Sequence, residues 1–92
     1  MAIAIIAEVP GRDAKFDDEI VQRMNLSADP APGALVRLAG PVEGGWRVVS
    51  IWESEDAWNK FRSERLEPAI RAAGQEPPKI EIWPLHALQI NR

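Results

Sequence analysis

The segment at residues 46–53 constrains the fold more than any other, because it is apolar on both faces of a strand. In an extended chain, Trp46 and Trp52 point to one side. Val49 and Ile51 point to the other. The first and the last predicted strands of the chain are apolar on both faces as well. A sheet built from such strands needs a cover on each side.

The order of secondary-structure elements predicts an α+β fold, a ferredoxin-like antiparallel sheet with two helices on one face. Hydrophobic periodicity and turn signals predict strands at residues 2–9, 34–39, 46–53 and 79–90, and helices at residues 13–26 and 54–73. Asp13 and Ser54 are the predicted N-caps of the helices. Pro68 predicts a kink, or two short helices that meet at Glu67. Pro84 interrupts the last strand.

Two helices cover only one face of this βαββαβ sheet, and the chain has no third helix for the other. A second copy of the chain, packed sheet to sheet about a two-fold axis, would supply the missing cover. We therefore expect a homodimer, in which the apolar segment at residues 88–90 crosses to the partner. Which face of the sheet holds the helices stays open, because both faces are apolar.

Composition narrows the function classes. The 92 residues predict one domain over residues 1–92. Without cysteine, disulfides, thiolate nucleophiles and cysteine-based zinc sites are excluded, and a single histidine cannot form a multi-histidine metal site. A net charge of −3 argues against nucleic-acid binding. The longest apolar run, residues 1–7, fits neither a signal peptide nor a membrane span. We expect no metal and a soluble, cytoplasmic protein.

Two residues stand out as candidates for chemistry. His86 is the only histidine, the side-chain type that exchanges protons most readily near neutral pH, so it is a candidate general base. Arg65 falls inside the apolar stripe of the second helix, where a guanidinium must pair, snorkel or meet a ligand. The alternatives are a structural histidine and an internal ion pair, for which Asp17 on the first helix is the first expected partner.

The tryptophans are the third candidate group. Four of these large rings in a small protein either fill the core or form the wall of a pocket for a flat aromatic ligand. The candidate ligand-binding residues are Trp52, Trp58 and Trp83.

Three segments carry a resemblance to a known family. They are residues 44–61, residues 64–70, with the motif Glu-Arg-Leu-Glu-Pro, and residues 82–86, with the motif Trp-Pro-Leu-His. Together they resemble the dimeric α+β barrel superfamily, and within it small actinobacterial proteins related to antibiotic-biosynthesis monooxygenase domains. In that group an asparagine usually follows the histidine, where this chain has Ala87.

The resemblance implies a small-molecule-binding α+β barrel, and an enzyme of secondary metabolism of the cofactor-independent monooxygenase or cyclase type. In such an enzyme His86 would be the base and Arg65 the oxyanion partner, acting on a small aromatic or anionic ligand. The heme-degrading branch of the superfamily uses an asparagine on the first strand and a histidine on the second helix. This chain has neither, so we expect no cofactor. The alternative is a non-catalytic ligand-binding or structural homodimer.

Overall fold

Four strands and a set of short helices make up the part of the chain that the structure describes. The computed structural model describes residues 1–90, and the last two residues of the expected 1–92 domain lie outside it. The elements in chain order are β1 (Ile3–Pro10), α1 (Ala14–Met24), β2 (Ala34–Val42), β3 (Gly45–Trp52), α2 (Glu55–Phe61), a π-helical segment (Arg62–Leu66), α3 (Glu67–Ala72) and β4 (Lys79–Pro84).

The strands form one sheet in the order β2-β3-β1-β4, with antiparallel pairing throughout. β1 lies in the centre, where Ile5 is opposite Ser50 on one side and Ile82 on the other. β2 and β3 form the expected hairpin, although β2 continues to Val42 instead of ending near residue 39. The predicted ferredoxin-like βαββαβ fold is confirmed.

Both predicted N-caps are confirmed. The Asp13 side chain accepts a hydrogen bond of 3.2 Å from the backbone N–H of Phe16, and the Ser54 side chain accepts one of 3.1 Å from that of Ala57. Each bond satisfies an amide that the first helical turn leaves without a partner. α1 ends where Asn25 adopts a left-handed conformation, with φ at 56°.

Pro68 divides the second helical region, as predicted. α3 begins at Glu67, so the proline lies in its first turn, where a missing N–H costs little. The turn before it, Arg62–Leu66, is π-helical. A proline ring clashes with the carbonyl one turn back, and a wider turn relieves that clash.

The helices cover the sheet face that carries Ile3, Ile5 and Trp52, all at most 5 % exposed. Trp58 and Phe61, on α2, pack onto this face and complete the core. The apolar stripe predicted for the second helix is therefore confirmed. On the other face of the sheet, Leu38 and Trp83 are 59 % and 58 % exposed.

The prediction for the last strand is wrong in its length, because β4 ends at Pro84 and not at Ile90. Proline has no N–H to continue the ladder. The next amide, that of Leu85, donates a hydrogen bond of 3.0 Å to the Ala2 carbonyl, and after it the chain leaves the sheet. Leu88 is 37 % exposed, and the crossing of residues 88–90 to a partner stays a prediction.

Candidate functional site

A cavity of about 340 Å³ lies between the helix-covered face of the sheet and α1 and α2. Its wall is formed mainly by apolar side chains from all three elements. The aromatic members of the lining are Phe16, Trp46, Trp52, Trp58 and Phe61. Cavities of this volume, with an apolar wall and few polar groups, are typical small-molecule sites.

Three aromatic rings of the lining form a cluster. The ring centroid of Trp52 lies 5.7 Å from that of Trp58 and 4.8 Å from that of Phe61, with tilted planes. Trp52 is the last residue of β3, and the other two are three residues apart on α2, so they share one helix face. Such tilted pairs are favourable beyond the area they bury.

The indole N–H groups of the lining differ in their partners. The Trp52 indole N–H donates a hydrogen bond of 2.9 Å to the Ser50 hydroxyl. The Nε1 atoms of Trp46 and Trp58 are buried and have no hydrogen-bond partner among residues 1–90. A buried donor without a partner costs about 1–3 kcal/mol. These two donors therefore lie inside the packed core and do not face the open space of the cavity, although the rings that carry them line it.

An ion pair between Asp17 on α1 and Arg37 on β2 also lines the cavity. The two terminal guanidinium nitrogens of Arg37, Nη1 and Nη2, donate hydrogen bonds of 3.2 Å and 2.6 Å to the two carboxylate oxygens of Asp17. The side chain of Asp17 is 12 % exposed and that of Arg37 is 36 % exposed. The expected pairing of Asp17 with Arg65 is therefore wrong, because Asp17 pairs with the strand arginine while Arg65 contacts the end of α1.

Arg65 instead joins the second helical region to the end of α1. Its guanidinium donates to the backbone carbonyl of Met24, the last residue of α1, and lies 3.8 Å from Asp29. A cation at this position also interacts favourably with the negative end of the helix dipole. Arg65 borders a separate surface depression and does not line the aromatic cavity.

The structure brings together only two of the five predicted site residues, Trp52 and Trp58. Trp83 lies on the opposite face of the sheet, because it pairs in register with Ala4 and not with a core residue of the covered face. His86 is exposed beyond the end of β4 and is not part of the lining. Catalytic roles for His86 and Arg65 stay predictions, and the protomer does not place either side chain at the cavity.

Sequence reasoning named Asp17 only as an ion-pair partner of Arg65, and it missed three other polar residues of the lining, Arg37, Ser50 and Glu76. Strand alternation puts Ser50 on the same face as Trp46 and Trp52, which was a usable signal. A second signal was Arg37, a lone charge in the apolar stretch Ala-Leu-Val-Arg-Leu-Ala. Such a charge points to a partner across the fold, although the sequence does not say which one.

Residues 1–90 provide neither a cluster of metal ligands nor a helix that could span a membrane. These residues contain no group of three or more histidine, aspartate or glutamate side chains placed to hold a metal ion. Within the same range, no helix combines the length and the apolar character that crossing a membrane requires.

Solved structures share this architecture. A protein from Caulobacter crescentus, provisionally assigned as an antibiotic biosynthesis monooxygenase, is 23 % identical, with a TM-score of 0.68 over 96 % of this chain and 91 % of that one. SnoaB, a cofactor-independent oxygenase from Streptomyces nogalater, is 13 % identical, with a TM-score of 0.64 over 95 % and 93 %. The chain has the fold of the antibiotic biosynthesis monooxygenase-like α+β barrel proteins.

The α+β barrel fold by itself does not decide the reaction. A heme-degrading protein from Mycobacterium tuberculosis is 20 % identical to this chain, with a TM-score of 0.58 over 99 % of this chain and all of that one. One fold thus carries different activities, so function must be argued from the cavity. The scan of protein-family models found no match, and neither did the search of curated proteins.

Proposed function

We propose that the protein binds a planar, largely apolar small molecule in the cavity between the sheet and the helices. The observation that carries the proposal is the aromatic wall formed by Trp46, Trp52 and Trp58 around about 340 Å³. At the packing density of protein interiors, about 0.74, this space holds a molecule of about 250 Å³. A compound of three fused rings falls in this size range.

The polar groups of the lining support a ligand that carries hydrogen-bond acceptors. The Arg37 guanidinium and the Ser50 hydroxyl both line the cavity, and both are donors. A ring carbonyl that accepts from either group keeps a hydrogen bond when it leaves water. Fused-ring quinones combine a flat apolar body with such carbonyls, and they are therefore the ligand class that we propose.

Binding of 2-methylanthraquinone, followed by quenching of tryptophan fluorescence, tests this proposal. We expect saturable binding at one site per protomer. Ala7→Phe places a ring in the cavity, which Ala7 lines from β1, and should abolish binding. Ala14→Phe adds the same ring at an exposed position of α1 outside the lining and should leave binding unchanged. Equal binding by both variants would contradict the proposed location.

We also propose that the functional unit is a homodimer whose open sheet faces pack together. Leu38 and Trp83 expose more than half of their surface on the face away from the helices. Ile6, Val49 and Ile51 lie half-buried on the same face. A contiguous apolar face of this kind is a liability in a monomer, and a two-fold axis is the commonest way to close one.

Catalysis of the cofactor-independent monooxygenase or cyclase type is a second candidate. It is supported by the fold shared with SnoaB and by a proton acceptor in the cavity, the Asp17 carboxylate beside Arg37. His86 and Arg65 are left out of this proposal because neither lines the cavity.

Oxidation of anthrone by O₂, which gives anthraquinone and water, separates catalysis from binding alone. An enzyme should raise the rate of anthrone oxidation above the spontaneous rate, and Asp17→Asn should lower it to the spontaneous rate. A wild-type rate equal to the spontaneous one would favour the alternative, a ligand-binding protein without catalysis.

A further inference from the structure

Three of the four charged or hydroxyl-bearing residues of the cavity lining meet at one place, which we call the polar corner and define as Asp17, Arg37 and Ser50. The fourth, Glu76, lies in the segment between α3 and β4. Arg37 on β2 is directly opposite Ser50 on β3, and side chains so paired are close neighbours on one face of a sheet. Ser50 is in turn opposite the buried Ile5, so this is the face that the helices cover. The carboxylate of Asp17 reaches the corner from α1.

The polar corner has hydrogen-bonding capacity to spare. A guanidinium has five N–H donors, and Arg37 uses two of them on Asp17 among the residues that the structure describes. Each carboxylate oxygen of Asp17 accepts one of these bonds and keeps a further lone pair. The Ser50 hydroxyl accepts from Trp52, which leaves its own proton free to be donated. The corner therefore offers both donors and acceptors to a ligand.

The charges of the corner cancel, and this limits what it can hold. Asp17 and Arg37 sum to zero formal charge, and both side chains are at least partly shielded from water. A ligand carboxylate placed here would compete with Asp17 for the guanidinium and would face a like charge. A neutral hydroxyl would give its proton to Asp17 and accept from Arg37 or Ser50, without burying an unpaired charge.

We infer that the polar corner selects planar ligands that carry a neutral hydroxyl group, and rejects those that carry a carboxylate at the same ring position. The inference rests on the proposed function, because it specifies the ligand of the same cavity. The polar corner and the aromatic wall recognise different parts of the ligand. The wall recognises the flat ring system, and the corner recognises the polar substituent at the edge of that system.

Three probes that differ in one substituent test the inference: 2-methylanthraquinone, 2-(hydroxymethyl)anthraquinone and anthraquinone-2-carboxylate. With the wild-type protein, we expect the hydroxymethyl compound to bind about tenfold more tightly than the methyl compound, as two ordinary hydrogen bonds would give. We expect the carboxylate to bind at least about tenfold more weakly than the hydroxymethyl compound. Dissociation constants come from quenching of tryptophan fluorescence.

Asp17→Asn should reverse the preference between the hydroxymethyl and carboxylate probes. Removing the negative charge leaves Arg37 without its counter-ion, so the carboxylate becomes the better partner. Asp18→Asn is the matched control, because it makes the same change at the next residue of α1, which lies outside the lining. The control should keep the wild-type order of the three probes.

The outcomes distinguish the inference from the proposal on which it rests. If the methyl compound binds but all three wild-type affinities agree within about twofold, the inference is wrong and the cavity proposal stands. The inference is also wrong, with the cavity proposal intact, if Asp17→Asn and its control behave alike. If no probe binds, both are wrong. The wild-type comparison needs no variant, so a poorly folded Asp17→Asn does not remove the test.

Discussion

Truncating Trp58 should cost the protein a large part of its folding free energy. The side chain is 2 % exposed and packs against the rings of Trp52 and Phe61, whose centroids lie 5.7 Å and 6.1 Å from its own. A tryptophan buries about 150–250 Å², which at about 25 cal/mol per Å² corresponds to about 4–6 kcal/mol. Losing its unpartnered N–H returns about 1–3 kcal/mol of that. We therefore expect Trp58→Ala to lower the free energy of unfolding by about 3 kcal/mol.

A second variant separates the two contributions at this position. Trp58→Phe keeps an apolar ring in the core and removes the unpartnered N–H, so it should cost less than about 1.5 kcal/mol. Urea unfolding followed by circular dichroism at one fixed protomer concentration gives both values, because association also adds to stability. A loss below about 1 kcal/mol for Trp58→Ala would refute the assignment of this residue to the core. Equal losses in the two variants would refute the account of the N–H.

Three further predictions concern helix packing, a glycine and assembly. Arg65→Met should lower the free energy of unfolding in urea by about 1.5–3 kcal/mol, because it removes a charged hydrogen bond to the end of α1. Asp29→Ala should lower it by less than about 0.5 kcal/mol, and equal losses would make the ion pair the main interaction. Gly33→Ala should lower the free energy of unfolding by more than about 1 kcal/mol, since φ is +84° and a Cβ would lie 2.6 Å from that of Ala57. Gly40→Ala, where a Cβ meets nothing, should change it by less than about 0.5 kcal/mol. Leu38→Arg should convert a dimer into a 10.2 kDa monomer in sedimentation, and a wild-type monomer at micromolar concentration would contradict the dimer.

The element order could be predicted from the sequence because each local signal had a local cause. Asp13 and Ser54 are good N-caps whatever the rest of the chain does, and Pro68 interrupts a helix in any context. The end of β4 was missed because the apolar pattern continues past Pro84 while the hydrogen-bonded ladder does not. Periodicity reports which residues are apolar, and it does not report where pairing stops.

The candidate site could be predicted only in part because it depends on contacts between distant elements. Both faces of the strands are apolar, so nothing local showed that Trp52 lies under the helices while Trp83 lies on the open face. The helical pattern placed Asp17 and Arg65 on facing apolar stripes, which suggested a pair. Asp17 pairs instead with Arg37 on the edge strand β2, and this contact depends on how α1 crosses the sheet.

The most direct test of the ligand cavity is the response of individual indole N–H signals to a ligand. In ¹⁵N-labelled protein, we expect the Nε1–H resonances of Trp46 and Trp58 to shift progressively and saturably as 2-(hydroxymethyl)anthraquinone is added. The corresponding resonance of Trp83, on the open face of the sheet, should stay where it is. Shifts at Trp83 with none at Trp46 and Trp58 would place the ligand on the open face and contradict the cavity between the sheet and the helices as the binding site.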